Sequence, residues 1–67
     1  MNNNMKSERA NKRLTQEILA RQVGVSRQTI HAIESGADVP STVLALKIAD
    51  VFGKPVEVIF WLGERER

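Results

Sequence analysis

Between Arg27 and His31 the chain places an arginine, a glutamine, a threonine and a histidine within five residues, directly after Ser26, and Gln16 adds a second amide eleven residues earlier. These side chains offer hydrogen bonds rather than covalent chemistry. A guanidinium presents five donors in a fixed fork, an amide both donates and accepts, and a hydroxyl or an imidazole can do either. Nothing beside them supports catalysis. There is no Cys nucleophile, the single His31 has no spaced carboxylate to pair with, and no Gly-rich phosphate loop or metal-ligand set occurs. No catalytic residue, no cofactor and no metal are therefore expected, and the chemistry on offer is recognition.

The scaffold that must hold these groups is small. At 67 residues the chain has room for one core and one domain. Domains of this size are held by disulfides, a metal, partner subunits or close helix packing. Zero Cys and one His remove the first two, which leaves helix packing and oligomerisation. The absence of Cys also suits a reducing compartment. No apolar run approaches the roughly 20 residues needed to span a bilayer, and the opening Met-Asn-Asn-Asn-Met-Lys lacks the apolar stretch of a signal peptide. The expectation is a cytoplasmic protein with no membrane partner. The net charge is only +2, but it is unevenly spread. Residues 1–36 carry six basic side chains (Lys6, Arg9, Lys12, Arg13, Arg21, Arg27) against three Glu, and the rest of the chain is slightly acidic. A basic first half suits a nucleic-acid partner.

Helix signals run along the whole chain. Residues 1–4 read as a flexible leader or a helix cap, 5–62 as the folded domain and 63–67 as a solvated tail. Met5 to Lys12 are good helix formers without Gly or Pro. Thr15 is an N-cap for a second helix in which Leu19 and Val23 repeat at i, i+4, and Gly24 stops it. Ser26 caps a third helix from Arg27 to about Ser35, with Ile30 and Ile33 as its apolar stripe and Gly36 as its stop. After the turn Asp38-Val39-Pro40-Ser41, a fourth helix spans Thr42 to Phe52 with Ala45, Ile48, Ala49 and Phe52 inward. Pro55 opens a short fifth helix to about Phe60 that carries Val58 and Ile59. No stretch alternates with period two, so the expected fold is all-α, with no substantial strand.

Only three or four residues separate the second and third helices, which forces a steep angle between them. In a helix-turn-helix the first helix crosses the phosphate backbone and the second lays its N-terminal residues in the major groove. The segment from Leu14 to Gly36 meets both demands. Leu14, Leu19, Val23, Val25, Ile30 and Ile33 supply a buried side, while Gln16, Arg27, Gln28, Thr29 and His31 are left to point outward.

Here the chain resembles the Cro/repressor-type helix-turn-helix family, also called the XRE type. The resemblance is carried by Leu14-Thr15-Gln16-Glu17, Leu19-Ala20, Val23-Gly24-Val25-Ser26-Arg27-Gln28-Thr29-Ile30, Ile33-Glu34-Ser35-Gly36 and Pro40-Ser41. It implies a compact five-helix lambda-repressor-like domain that binds double-stranded DNA and acts as a transcriptional regulator, more specifically a repressor. The same resemblance places Arg27 and Gln28 on base edges, with His31 and Ala32 at nearby groove-facing positions. Arg can pair with guanine O6 and N7, Gln with adenine N6 and N7, each for about 1–3 kcal/mol of discrimination. Gln16, Ser26, Thr29 and Ser41 match phosphate-contacting positions, and Gln16 would also brace Gln28. Arg9 and Glu34 match an ion pair between the first and third helices, a structural role.

Three departures qualify the resemblance. Ala37-Asp38 puts a negative charge near the expected phosphate path, and Ile18 and Val43 are apolar where relatives are polar. Phe60-Trp61-Leu62 is an apolar group at the end of a chain too small to bury all of it, and such surface marks a partner. These three residues are the expected homodimer interface. The alternative is a protein-interaction adaptor or antitoxin-type module in which Ile18, Val43 or Trp61 holds a second protein partner.

Overall fold

A computed structural model describes all 67 residues. Its elements are β1 (Asn2–Asn3), α1 (Met5–Lys12), α2 (Gln16–Val23), α3 (Arg27–Glu34), α4 (Thr42–Phe52), α5 (Val56–Ile59), β2 (Phe60–Trp61) and a 3-10 turn (Glu64–Glu66). Three helices begin on the same device. The hydroxyls of Thr15, Ser26 and Ser41 accept from the backbone N–H of Ile18, Thr29 and Leu44, each at 3.1 Å, which satisfies a donor the helix start leaves free. At the other end α2 and α4 close on Gly24 and Gly53, with φ of 79° and 66°. The helix α1 closes on Arg13 in the same left-handed region, φ 56°, where a side chain costs roughly 1–2 kcal/mol.

The core forms where these helices meet. Met5, Leu19, Ile30, Ile48 and Ile59 are fully buried, one from each of the five helices, and Val23, Ile33, Phe52 and Phe60 surround them. Ala20 and Ala49 are buried as well, and α2 packs against α4. One charged side chain joins this interior. The carboxylate of Glu8 accepts from Lys54 Nζ at 2.7 Å, tying α1 to the turn that follows α4. Charge compensation is what allows a Glu to be buried there.

The first four residues differ from the flexible leader expected. Asn2 and Asn3 pair antiparallel with Trp61 and Phe60, and Asn4 N–H donates to Ile59 O at 3.1 Å. The Asn3 amide explains the anchoring. Its Oδ1 accepts from Met5 N–H at the start of α1, and its Nδ2 donates to Ile33 O at the end of α3, both at 3.1 Å. One side chain thus serves the orphan first donor of α1 and adds a second bond to Ile33 O, which also accepts from Gly36 N–H at 3.1 Å. The two-residue strands are too short to leave an alternating pattern.

Two further boundaries shift. Helix α5 ends at Ile59 rather than Phe60, because Phe60 turns into extended backbone (φ −126°, ψ 139°), and Val58 of α5 is exposed. The tail after Gly63 is exposed yet not shapeless. Glu66 accepts from the Met1 amino group at 2.9 Å and from Gly63 N–H at 2.8 Å. The amino group first, then the Gly63 N–H, holds its carboxyl below the usual carboxylate range.

Candidate nucleic-acid interface

Helix α3 divides its side chains by its own period. Ile30 and Ile33 go into the core, and Arg27, Gln28 and His31 stand exposed on the opposite side, with Thr29 and Ala32 half-buried between. Arg27 and Gln28 lie in the first turn, immediately after the Ser26 cap. Neither makes a side-chain hydrogen bond or an ion pair within the chain, so their full donor capacity faces outward. Open depressions of about 430 Å³ flank Arg27. One runs toward α1 and the other lies beside Gln28, Glu17 and Arg21.

The end of α3 is fixed by a network of four side chains and one backbone carbonyl. Arg9 donates from Nε and Nη2 to the two oxygens of Glu34, at 2.5 and 3.0 Å, and from Nη1 to Leu14 O at 2.9 Å. One guanidinium therefore locks α1, the α1–α2 turn and α3 together. The side chain of Glu34 is only 7% exposed and that of Arg9 15%, so little water screens the pair. Gln16 Nε2 donates to Glu34 Oε1 at 3.2 Å and lies 3.4 Å from His31 Nδ1. The implied brace from Gln16 to Gln28 is not formed. Gln16 braces His31 instead, because Glu34 draws its amide toward the end of α3. If His31 Nδ1 accepts this contact, the ring carries its proton on Nε2.

The remaining candidate residues sit at helix starts. Ser26 Oγ and Thr29 Oγ1 are 3.0 Å apart, so one hydroxyl donates to the other and only one proton is left for a ligand. The exposed Ser41 keeps its hydroxyl proton while its oxygen caps α4, and its backbone N–H bonds to no protein atom. Asp38, the charge expected to weaken backbone affinity, spends one oxygen on Val39 N–H at 2.9 Å. At the other end of the molecule the apolar triplet divides. Phe60 is buried in the chain's own core, because neighbouring residues of a strand point to opposite faces. Trp61 and Leu62 remain at the surface, 41% and 48% exposed.

Some of this could not be read in advance. The Gln16–His31 contact joins different helices, and the Glu8–Lys54 pair spans 46 positions, so no local spacing signals either. No group of His, Asp or Glu is placed to hold a metal, and no helix is long and apolar enough to cross a membrane.

Comparison with known proteins places this geometry. A family profile described as Helix-turn-helix matches residues 5–59. The chain is 50% identical over 64 residues to the uncharacterised HTH-type transcriptional regulator YgzD of Bacillus subtilis, covering 96% of this chain and 97% of that one. It is 57% identical over 60 residues to an uncharacterised HTH-type transcriptional regulator of Methanocaldococcus jannaschii, covering 90% and 91%. A third such protein, from Archaeoglobus fulgidus, is 47% identical over 66 residues, covering 98% and 93%.

Proposed function

The chain belongs to the XRE-type helix-turn-helix family, and from that premise we propose that it is a sequence-specific double-stranded DNA-binding regulator that acts as a repressor and works as a homodimer. The observation that carries this reading is the exposed first turn of α3. Arg27 and Gln28 project from a helix that Ile30 and Ile33 fix to the core, with their hydrogen bonds unspent. An α-helix fits the major groove, where arginine and glutamine match guanine and adenine edges. Gln16, Ser26, Thr29 and Ser41 would hold phosphates and set the register, and His31 and Ala32 would flank the two readers. Repression follows from occupancy, since a domain seated in the groove excludes other proteins from that stretch.

Selection from random duplexes tests the reading. The expected product is a site with twofold-related halves centred about 34 Å apart, bound with an affinity that falls steeply as salt rises. Failure to enrich any sequence, or an affinity indifferent to salt, would overturn it.

The homodimer rests on Trp61 and Leu62, with Phe60 now assigned to the interior. Trp61→Ser is expected to shift the protein toward monomer in sedimentation and to weaken binding to the paired site while leaving single half-site binding intact. A variant that sediments as the wild type would place the interface elsewhere. The adaptor reading draws on Ile18, Val43 and Trp61, which are exposed. It becomes the better account if no duplex is enriched.

A further inference from the structure

Arg13 is the only residue other than glycine with a positive φ. It closes α1, donating its N–H to Ala10 O at 3.2 Å, in the conformation for which α2 and α4 use glycine. The fold alone would be better served by glycine here, since it adopts this region without a Cβ clash. A strained position that persists despite its cost points to a use for the side chain.

The surroundings of Arg13 indicate the use. Its side chain is exposed, forms no ion pair, and lines the open depression of about 430 Å³ together with Arg9, Thr15, Gln16, Glu17 and Arg27. The charges in this depression do not cancel. Arg9 is engaged by Glu34, and Glu17 faces Arg21 at 3.8 Å, which leaves Arg13 and Arg27 as two uncompensated cations. Arg27 is also in the first turn of α3, so the depression opens beside the groove-facing helix.

We propose that this depression binds a phosphodiester of the DNA backbone, with Arg13 as its principal cation and with no part in base reading. The inference rests on α3 being the groove helix. A guanidinium suits the task because its planar fork can present two parallel N–H donors to phosphate oxygens.

The test compares wild type, Arg13→Gly and Arg13→Asn on the selected duplex and on a random-sequence duplex across a salt series, alongside thermal unfolding. Arg13→Gly is expected to leave Tm unchanged or raise it by a few degrees, since relieved strain is partly offset by the larger chain entropy of glycine in the unfolded state. On both duplexes alike it should weaken binding by about eightfold at 0.1 M salt, and lower the slope of log affinity against log salt by about one. Arg13→Asn, which tolerates the left-handed region and carries no charge, should reproduce the binding loss. Unchanged affinity and slope in both variants, with wild type still binding duplex, would overturn the phosphate site alone. A change in preferred bases would overturn it too, by making Arg13 a reader. If wild type binds neither duplex, the groove-helix reading itself fails and this inference falls with it.

Discussion

Replacing Arg9 with alanine is expected to remove about 3 kcal/mol of stability, the lower end of the loss when one partner of a buried ion pair is deleted, since Arg9 and Glu34 are only partly buried. The structural reason is what remains behind. Glu34 would be left in a side chain 7% exposed with Gln16 as its only donor, and Leu14 O would lose its guanidinium partner. A domain of this length has about 3–10 kcal/mol in total, so the variant should lose a large share of its stability. Urea unfolding checks this through the midpoint, with the slope m unchanged if only stability is affected. Arg9→Met combined with Glu34→Leu should recover much of the loss, because two apolar side chains leave no charge stranded. A loss below 1 kcal/mol for Arg9→Ala alone would mean that solvent screens the pair. The pair is better understood as fixing geometry. Arg9 joins three segments that otherwise have little in common, and Glu34 passes that constraint through Gln16 to His31 on the outer face of α3.

What could be read in the sequence follows from how local each feature is. The caps at Thr15, Ser26 and Ser41 act three residues along the chain, so residue type alone reveals where α2, α3 and α4 begin. Gly24 and Gly53 mark their own helix ends for the same reason. The apolar stripe of α3 leaves one side over, which is why Arg27, Gln28 and His31 stand outward as their spacing suggested. Features that depend on distant partners were not readable. The pairing of Asn2–Asn3 with Phe60–Trp61 joins the two ends of the chain, and two-residue strands have no periodicity to detect. That pairing also decides which of Phe60, Trp61 and Leu62 goes inward, so three residues that looked equivalent divide into one core residue and two on the surface. Arg13 was invisible as a helix end because its left-handed backbone is carried by a residue that gives no such signal.

Gln28→Ala should separate base reading from backbone affinity more cleanly than any other single change. Gln28 is exposed and its side chain holds nothing within the chain, so the fold should lose little. Alanine keeps the helix, and only the amide is lost. On the selected duplex the expected cost is about 1–3 kcal/mol, roughly fivefold to 150-fold in affinity. On a duplex altered at the base that Gln28 reads, the cost should nearly vanish, because the wild type has already lost the same hydrogen bonds there. The salt slope should not move, since no charge is removed. Arg27→Ala should differ in one respect. It removes a base reader and a cation together, so preference at its own base and the salt slope should both decline. Selection repeated with each variant provides the check, and unchanged preferences in both would remove Arg27 and Gln28 from the readout. Set beside Arg13→Gly, the three substitutions predict different combinations of two observables: preference alone for Gln28, slope alone for Arg13, and both for Arg27. Generalised destabilisation would weaken binding without sorting the variants in this way, so the pattern itself distinguishes a reading helix with a flanking phosphate site from a surface that is merely basic.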